Sequence, residues 1–322
     1  MSSNKQKSGP ALRLLGNRYA ILLLALALGM LLPGVARSIR TLVSPAIILI
    51  ITASTLRTPT STFLPLRKTF RPILLGVSLN YLILCTAILL IGRWASPNEA
   101  IWLGFVLVAA APPGFAVIPF AHLLGGDVAL SVIGSLGGYL ATLAIAPILT
   151  TLLVGGGVIG PLRLLRVIAE LVIVPLILSR FLRRTGIANH VGSWIGGIIN
   201  WGFFLVLFIV VGLNQATFLH APVVVGKIAG VAVACTFALG GAIHLIAKQA
   251  GVDRPLRTSY ILLGTIKNSG WATATALALS GQEASIPGAV WSVVTVLYLL
   301  GLSLVAGRKA AGQTTEQPHD VS

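Results

Sequence analysis

Apolar runs separated by short polar segments form the dominant pattern of this chain. Ten mostly apolar runs lie near 19–36, 42–56, 72–92, 100–124, 127–154, 161–182, 192–213, 221–247, 257–280 and 286–306. A helix needs about 20 such residues to cross about 30 Å of hydrocarbon. The pattern therefore predicts an all-α polytopic membrane protein. Residues 1–17 are predicted to form a cytoplasmic tail, and residues 310–322 a disordered one.

Composition supports membrane burial and argues against a nucleic-acid partner. The chain has 56% hydrophobic and only 9% charged residues, whereas soluble domains carry about 25% charged residues. The net charge of +16 comes from short basic clusters between apolar runs and not from one basic face. Sixteen Lys and Arg residues fall on one side of the predicted membrane and five on the other. The positive-inside rule then places both termini in the cytoplasm, with the chain in the inner or plasma membrane.

The chain divides into two halves with five runs each, at residues 18–154 and 155–309. The division falls at a glycine-rich segment, Gly155 to Gly157. An odd number of helices per half inverts the second half relative to the first. Inverted repeats of this kind place a substrate site near the membrane midplane, where interrupted helices meet.

Two of the runs carry signals for an interruption. Run four contains Ala111-Pro112-Pro113-Gly114, and proline removes a backbone donor and clashes with the preceding turn. A simple proline kink is the alternative interpretation. Run nine contains the polar segment GTIKNSG over 264–270. From these two segments we predict the substrate-binding residues Pro113, Gly114, Thr265, Lys267, Asn268 and Ser269.

Lys267 is the strongest candidate for a functional residue. It lies ten residues beyond Arg257, which corresponds to about 15 Å of helix. A charge at that depth costs about 2.5–3.5 kcal/mol on insertion scales, so such residues usually serve a function. The alternative is a structural ion pair, for which Glu170 is the acidic residue at similar depth. Together with Asn80 in run three, Lys267 and Glu170 form the predicted ion-coupling set.

Three segments resemble the bile acid:sodium symporter family. They are APPGFAVIPFAHLLGGDVALSV within 101–154, KNSGWATATALAL with IPGAVWSV within 257–306, and LRTPTSTFLPLRKTFRPILLG between runs two and three. The resemblance implies two inverted five-helix repeats, divided into a panel domain and a core domain, with helices four and nine broken and crossing. It also implies secondary transport of a small organic anion by alternating access, often coupled to sodium.

The departures from the family pattern concern the coupling ion. Val117 and Ile118 stand where the family has a Ser-Asn pair of sodium ligands, Leu263 replaces a glutamate, and Lys267 replaces a glutamine. Hard cations need several oxygen ligands, which Val, Ile and Leu side chains do not supply. We therefore question sodium coupling, and predict neither a cofactor nor a bound metal. Our hypothesis is that the Lys267 ammonium takes the sodium position and neutralises an anionic substrate. Exchange of its proton would make transport proton-linked.

An exporter, a membrane sensor or scaffold, and an enzyme are the alternatives to this interpretation. An exporter of the arsenite or auxin-efflux type would share a related fold, but the arsenite version needs a thiol where Ala111 stands. A transport-dead membrane sensor or scaffold stays open. An enzyme is not predicted, because no paired carboxylates, metal-ligand set or Ser/His pair falls at one depth. The expected partners are the lipid bilayer and the anion, and the existence of a homo-oligomer stays open.

Overall fold

The computed structural model describes residues 18–56, 66–114, 116–155, 162, 166, 169–192 and 194–313. All regular structure in these residues is helical. Five helical segments are long and apolar enough to cross a membrane: Phe70–Ala95, Val128–Val154, Ile195–Leu213, Pro222–Gln249 and Gln282–Leu302. The prediction of an all-α, multi-pass membrane protein is confirmed.

The helices follow the predicted runs closely. The first half contains α1 (Arg18–Leu31), α2 (Pro33–Ser38), α3 (Val43–Leu56), α4 (Leu66–Val77), α5 (Thr86–Ala95), α6 (Glu99–Ala110), α7 (Val117–Leu123) and α8 (Val128–Val154). The second half contains α9 (Val174–Arg184), α10 (Ile187–Val191), α11 (Ile195–Leu213), α12 (Gln215–His220), α13 (Pro222–Val233), α14 (Leu239–Gln249), α15 (Arg254–Thr265), α16 (Ser269–Ser280) and α17 (Gln282–Gln313). Much of the run predicted at 161–182, and the terminal segments 1–17 and 314–322, lie outside the described residues. The helix α17 extends four residues beyond the predicted boundary at 309.

Three π-helical segments occur in the described residues, and the sequence did not reveal them. Residues Ser78–Cys85 join α4 to α5, Ala234–Ala238 join α13 to α14, and Ala169–Ile173 precede α9. The first two each follow a helix of 12 residues. Such segments are frequent at functional sites, and Ser78–Cys85 carries Asn80.

The helices pack into two groups. The first group contains α1, α2, α3, α9 and α11, in which α11 packs against α1, α2 and α3, and α9 packs against α3. The second group contains α4 to α8 and α13 to α17. The two groups meet where α1, α3 and α11 face α16 and α17. We call this boundary the seam.

Contacts between the ends of helices mark the two ends of the helix bundle. At one end, the Asn98 Nδ2 donates to Glu283 Oε1 at 2.7 Å. At the other, the Asp127 backbone N–H donates to the Pro255 carbonyl at 3.0 Å. We call these the Asn98 end and the Asp127 end.

Candidate functional site

The predicted breaks in runs four and nine are present, and they meet. The helix α6 ends at Ala110 and α7 begins at Val117, while α15 ends at Thr265 and α16 begins at Ser269. Between them, Pro113 and Lys267 pair as an isolated antiparallel bridge. The alternative of a simple proline kink in run four is therefore wrong, because the helix ends at Ala110 and a new helix begins only at Val117.

The two breaks satisfy each other's backbone groups. The Gly114 N–H donates to the Ile266 carbonyl at 2.9 Å, and the Asn268 N–H donates to the Pro112 carbonyl at 2.8 Å. Inside a membrane, backbone groups freed by a break must find partners within the protein. A Cβ at Gly114 would lie 2.7 Å from the Ile266 Cγ2. Glycine is therefore required for this close approach, and we call the paired segments the crossing.

Lys267 is fully enclosed at the crossing. The residue is 1% exposed. Its Nζ donates to Asn80 Oδ1 at 2.7 Å and to the Ala111 carbonyl at 2.9 Å. The same atom lies 4.3 Å from the centre of the Tyr81 ring, within the range of a cation–π contact. Removing an ammonium from water costs several kcal/mol, and these neutral partners offset that cost.

Asn80 is held so that its oxygen faces the ammonium. Its Nδ2 donates to the Leu263 carbonyl at 2.9 Å, which leaves Oδ1 for Lys267. The π-helical turn places Asn80 and Tyr81 side by side on this surface, and both are buried. The sequence pointed to Asn80 as a polar residue in an apolar run. It gave no signal for Tyr81, whose hydroxyl donates to the Gly138 carbonyl at 3.1 Å and contacts Thr142.

The predicted pairing of Lys267 with Glu170 is wrong. Glu170 instead accepts a hydrogen bond from Arg166 Nε at 2.9 Å, and the two side chains are 52% and 80% exposed. No described acidic side chain forms an ion pair with Lys267. Helix depth placed Glu170 at a similar level, but it does not determine the direction in which a side chain points.

Thr265 is buried but turned away from the cavity at the crossing. Its hydroxyl donates to the Ile261 carbonyl at 2.6 Å, one turn earlier in α15. Asn268 and Ser269 begin α16, and Asn268 Oδ1 accepts from the Trp271 N–H at 3.0 Å as an N-terminal cap. Of the predicted substrate-binding residues, Gly114, Lys267, Asn268 and Ser269 therefore line one cavity. Pro113 lies at the crossing behind them.

The positions that depart from the family's sodium ligands lie in hydrocarbon surroundings. Val117 and Leu263 are both fully buried and belong to one apolar cluster with Phe120 and Leu130. Ile118 is half-buried beside them. These side chains offer no oxygen to a hard cation. Among the described residues there is also no group of three or more His, Cys, Asp and Glu side chains that could hold a metal ion.

A cavity of about 80 Å³ lies in the seam next to the crossing. It is large enough for several water molecules, since each needs about 10–15 Å³ on this measure. Its walls are mostly apolar, as is usual for small-molecule sites. The polar lining residues are Asn200, Lys267, Asn268, Ser269, Ser292 and Thr295.

Two buried polar atoms in this lining have no hydrogen-bond partner among the described residues. They are Asn268 Nδ2 and Thr295 Oγ1, in residues that are 1% and 7% exposed. Buried polar groups normally have partners. Thr295 Oγ1 therefore marks a place where a ligand or water would complete the hydrogen bonding, whereas Asn268 Nδ2 also has the Tyr139 hydroxyl as a neighbouring polar group.

The seam is closed between this cavity and the Asn98 end. Gln282 Nε2, at the start of α17, donates to the Leu213 carbonyl at the end of α11. Next to it, Asn214 Nδ2 donates to Ser285 Oγ at 3.4 Å. Leu22, Phe120 and Asn200 line the cavity in the parts of their helices nearer the Asp127 end. The cavity therefore extends from the crossing toward that end.

Comparison with known proteins gives one assignment. No curated protein matches the chain. The family model described as "Sodium Bile acid symporter family" matches residues 44–225, which is more than half of the 322 residues. The match includes the segment 101–154 but not the segment 257–306, which contains KNSGWATATALAL and IPGAVWSV, the second pair of segments that resemble the family. Membership in this family implies solute transport, in general coupled to sodium. The chain thus belongs to the sodium bile acid symporter family.

Proposed function

We propose that this protein is a secondary transporter of a small organic anion that works by alternating access without sodium coupling. The observation that carries the proposal is the cavity at the crossing, which lies between two separately packed helix groups. A site in such a seam is exposed to one side or the other when the groups move relative to each other. The first group corresponds to the panel domain of the family and the second to its core domain.

The proposed architecture is ten membrane crossings in two inverted repeats of five. A 12-residue helix followed by a π segment occurs once in each half, at α4 and α13. A 12-residue helix followed by a break also occurs once in each half, at α6 and α15. Gly125 and Gly281, just after the broken helices, both have positive φ. These paired features support the repeat. The distribution of Lys and Arg supports the placement of both termini in the cytoplasm, with the chain in an inner or plasma membrane.

The proposed absence of sodium coupling follows from the position of the Lys267 ammonium. It bonds to two buried oxygens at the crossing, Asn80 Oδ1 and the Ala111 carbonyl. Oxygens of this kind coordinate hard cations. A tethered ammonium that satisfies them leaves no vacancy for sodium. The neighbouring family positions, Val117 and Leu263, supply hydrocarbon instead of oxygen.

The charge of the site favours an anion. Lys267 has no acidic partner among the described residues, so no ion pair within that part of the chain cancels its positive charge. The ammonium points away from the cavity, but its field acts across the low-dielectric crossing. The amino-terminal end of α16 also faces the cavity at Ser269 and Gly270, and such ends carry partial positive charge.

Uptake into liposomes containing the purified full chain tests the proposal. Radiolabelled benzoate, pyruvate and methanesulfonate would be offered with sodium, with choline in place of sodium, and with an imposed pH gradient. We expect uptake of at least one anion that is unchanged by choline and lowered about tenfold or more by Lys267→Ala, which removes the positive charge whose field favours the anion.

Lys227→Ala is the matched control, because Lys227 is an exposed lysine on α13 and distant in sequence from the crossing. It should leave uptake unchanged. Sodium-dependent uptake that survives Lys267→Ala would refute sodium independence and the role of the lysine together. Saturable anion binding without uptake would instead favour a transport-dead sensor.

A further inference from the structure

A second cavity lies in the same seam, on the other side of the closure. It has a volume of about 480 Å³, which falls within the usual range of small-molecule sites. Residues before and at the start of α3 form one wall, and the end of α16 with Gly281 forms the other. Gln282 and Leu213, which close the seam, also line it. The cavity therefore opens at the Asn98 end and stops at the closure.

Arg40 is the only ionisable side chain among the described residues that line this cavity. Its side chain is exposed and forms no ion pair with a described residue. Glu99 is paired with Arg93 at 2.9 Å, whereas Glu283, one residue beyond Gln282, accepts from the neutral Asn98 at 2.7 Å and keeps its negative charge. The described lining of the cavity therefore carries one charge, the Arg40 guanidinium, which no ion pair with a described residue neutralises.

The rest of the lining matches a small amphipathic anion. Thr41 and Ser44 add hydroxyl groups beside Arg40, while Leu213 and Leu277 provide an apolar surface. A guanidinium binds the two oxygens of a carboxylate or sulfonate with matching geometry. The apolar surface would receive the hydrocarbon part of the same molecule.

We propose that the Arg40 cavity is an anion-binding antechamber, which holds a small carboxylate or sulfonate before the seam opens toward the crossing. This inference rests on the proposed function for the identity of its ligand. It goes beyond that function because it assigns a second binding site, whose lining residues are different from those of the cavity at the crossing. The antechamber selects anions over cations at the Asn98 end.

The selectivity can be measured without any transport. Ala278 lines the cavity, and its replacement by cysteine places a thiol there. The native thiols Cys85 and Cys235 are 4% and 1% exposed, so the unsubstituted chain gives the background. The full chain in lipid nanodiscs would be labelled with an anionic reagent, 2-sulfonatoethyl methanethiosulfonate. The cationic reagent is the trimethylammonium analogue.

Arg40→Gln should lower the ratio of anionic to cationic labelling rates. In water, a unit charge about 7 Å away changes the local concentration of a monovalent ion about threefold, and the ratio about sevenfold. Arg40→Lys should preserve the ratio. The matched control is Arg37→Gln, an exposed arginine one turn earlier that does not line the cavity. If Arg37→Gln lowers the ratio of labelling rates equally, the selectivity comes from the general surface charge and not from Arg40 in the cavity, and the antechamber is refuted.

Protection of the thiol tests binding itself. Labelling by an uncharged reagent, methyl methanethiosulfonate, would be measured with benzoate or with its neutral analogue benzamide. Benzoate should slow labelling in a saturable manner, benzamide should not, and Arg40→Gln should remove the protection. Equal protection by both compounds, or none by either, overturns the proposal. Since labelling requires no transport, a chain that fails in uptake but shows this protection contradicts only the proposed function.

Discussion

The contact between Asn80 and Lys267 makes a quantitative prediction about stability. Asn80→Leu introduces an apolar side chain of similar size and removes the oxygen that accepts from the ammonium at 2.7 Å. It also removes the donor to the Leu263 carbonyl. Lys267→Met is the companion change, because it keeps the length of the side chain and removes the charge.

The size of the effect follows from what each change leaves unpaired. Removing one partner of a buried charge costs about 3–5 kcal/mol, so we expect Asn80→Leu to lower the free energy of unfolding by about that amount. Lys267→Met leaves two oxygens without a donor, at about 1–3 kcal/mol each. It also relieves the desolvation of the ammonium, so its net cost should be smaller. With the charge gone, Asn80→Leu should cost less, and the two changes should couple by about 1.5–3 kcal/mol.

The measurement is a double-mutant cycle on the full chain in detergent micelles. The fraction of sodium dodecyl sulfate would be raised stepwise, and tryptophan fluorescence would report unfolding. Each free energy of unfolding would be obtained by linear extrapolation for the four proteins of the cycle.

Asn214→Leu provides the matched control. Asn214 is also a fully buried asparagine, but it bonds to the Val210 carbonyl and to Ser285 near the Asn98 end. It should lower stability without coupling to Lys267→Met. If Asn80→Leu and Lys267→Met prove additive within about 0.5 kcal/mol, the reasoning that the asparagine supports a buried charge is refuted.

Three further predictions use other contacts. Glu170→Gln should leave uptake unaltered, because its ion pair with Arg166 lies on the outer surface of the helix bundle and not at the crossing; a large loss of uptake would restore it to the ion-coupling set. Gly138→Ala should destabilise the chain by about 1–3 kcal/mol, as its methyl group would meet the Pro113 ring, whereas Gly196→Ala has open space and should be near neutral. Lys267→Gln should lower anion uptake about tenfold, because it removes the positive charge, without gaining sodium dependence, since Asn80 Oδ1 and the Ala111 carbonyl are too few oxygens for a hard cation and Val117 and Leu263 supply only hydrocarbon; stimulation by sodium in this variant would contradict the account of the site.

The sequence predicted the breaks because their cause is local. Pro112 and Pro113 remove two consecutive donors from α6, and no packing restores them. The polar segment around Lys267 is recognisable for the same reason, since it interrupts an otherwise apolar run. That the two breaks meet followed from the repeat and from the family resemblance, and the structure contains the pairing.

The partners of Lys267 could not be predicted in the same way. Asn80 and Tyr81 lie about 187 residues away along the chain and reach the ammonium through a π-helical turn that has no sequence signature. Glu170 was chosen by depth alone, and a helix at a given depth presents side chains in all directions. Contacts between helices depend on the direction of each side chain, which apolar periodicity does not determine in a lipid-solvated chain.

The crossing gives a physical reason for a lysine at this position. A break leaves carbonyls without helical donors, and the Ala111 carbonyl, fully buried, is one of them. A cation satisfies such an oxygen whether it is a free ion or an ammonium. A free ion enters and leaves with each cycle and so transmits its gradient, whereas Lys267 is covalently tethered and stays in place. On the proposed function, the energy must then come from the gradient of the anion itself or from a proton exchanged at Lys267. An imposed pH gradient separates the two, because only proton exchange lets it drive accumulation of the anion above its electrochemical equilibrium.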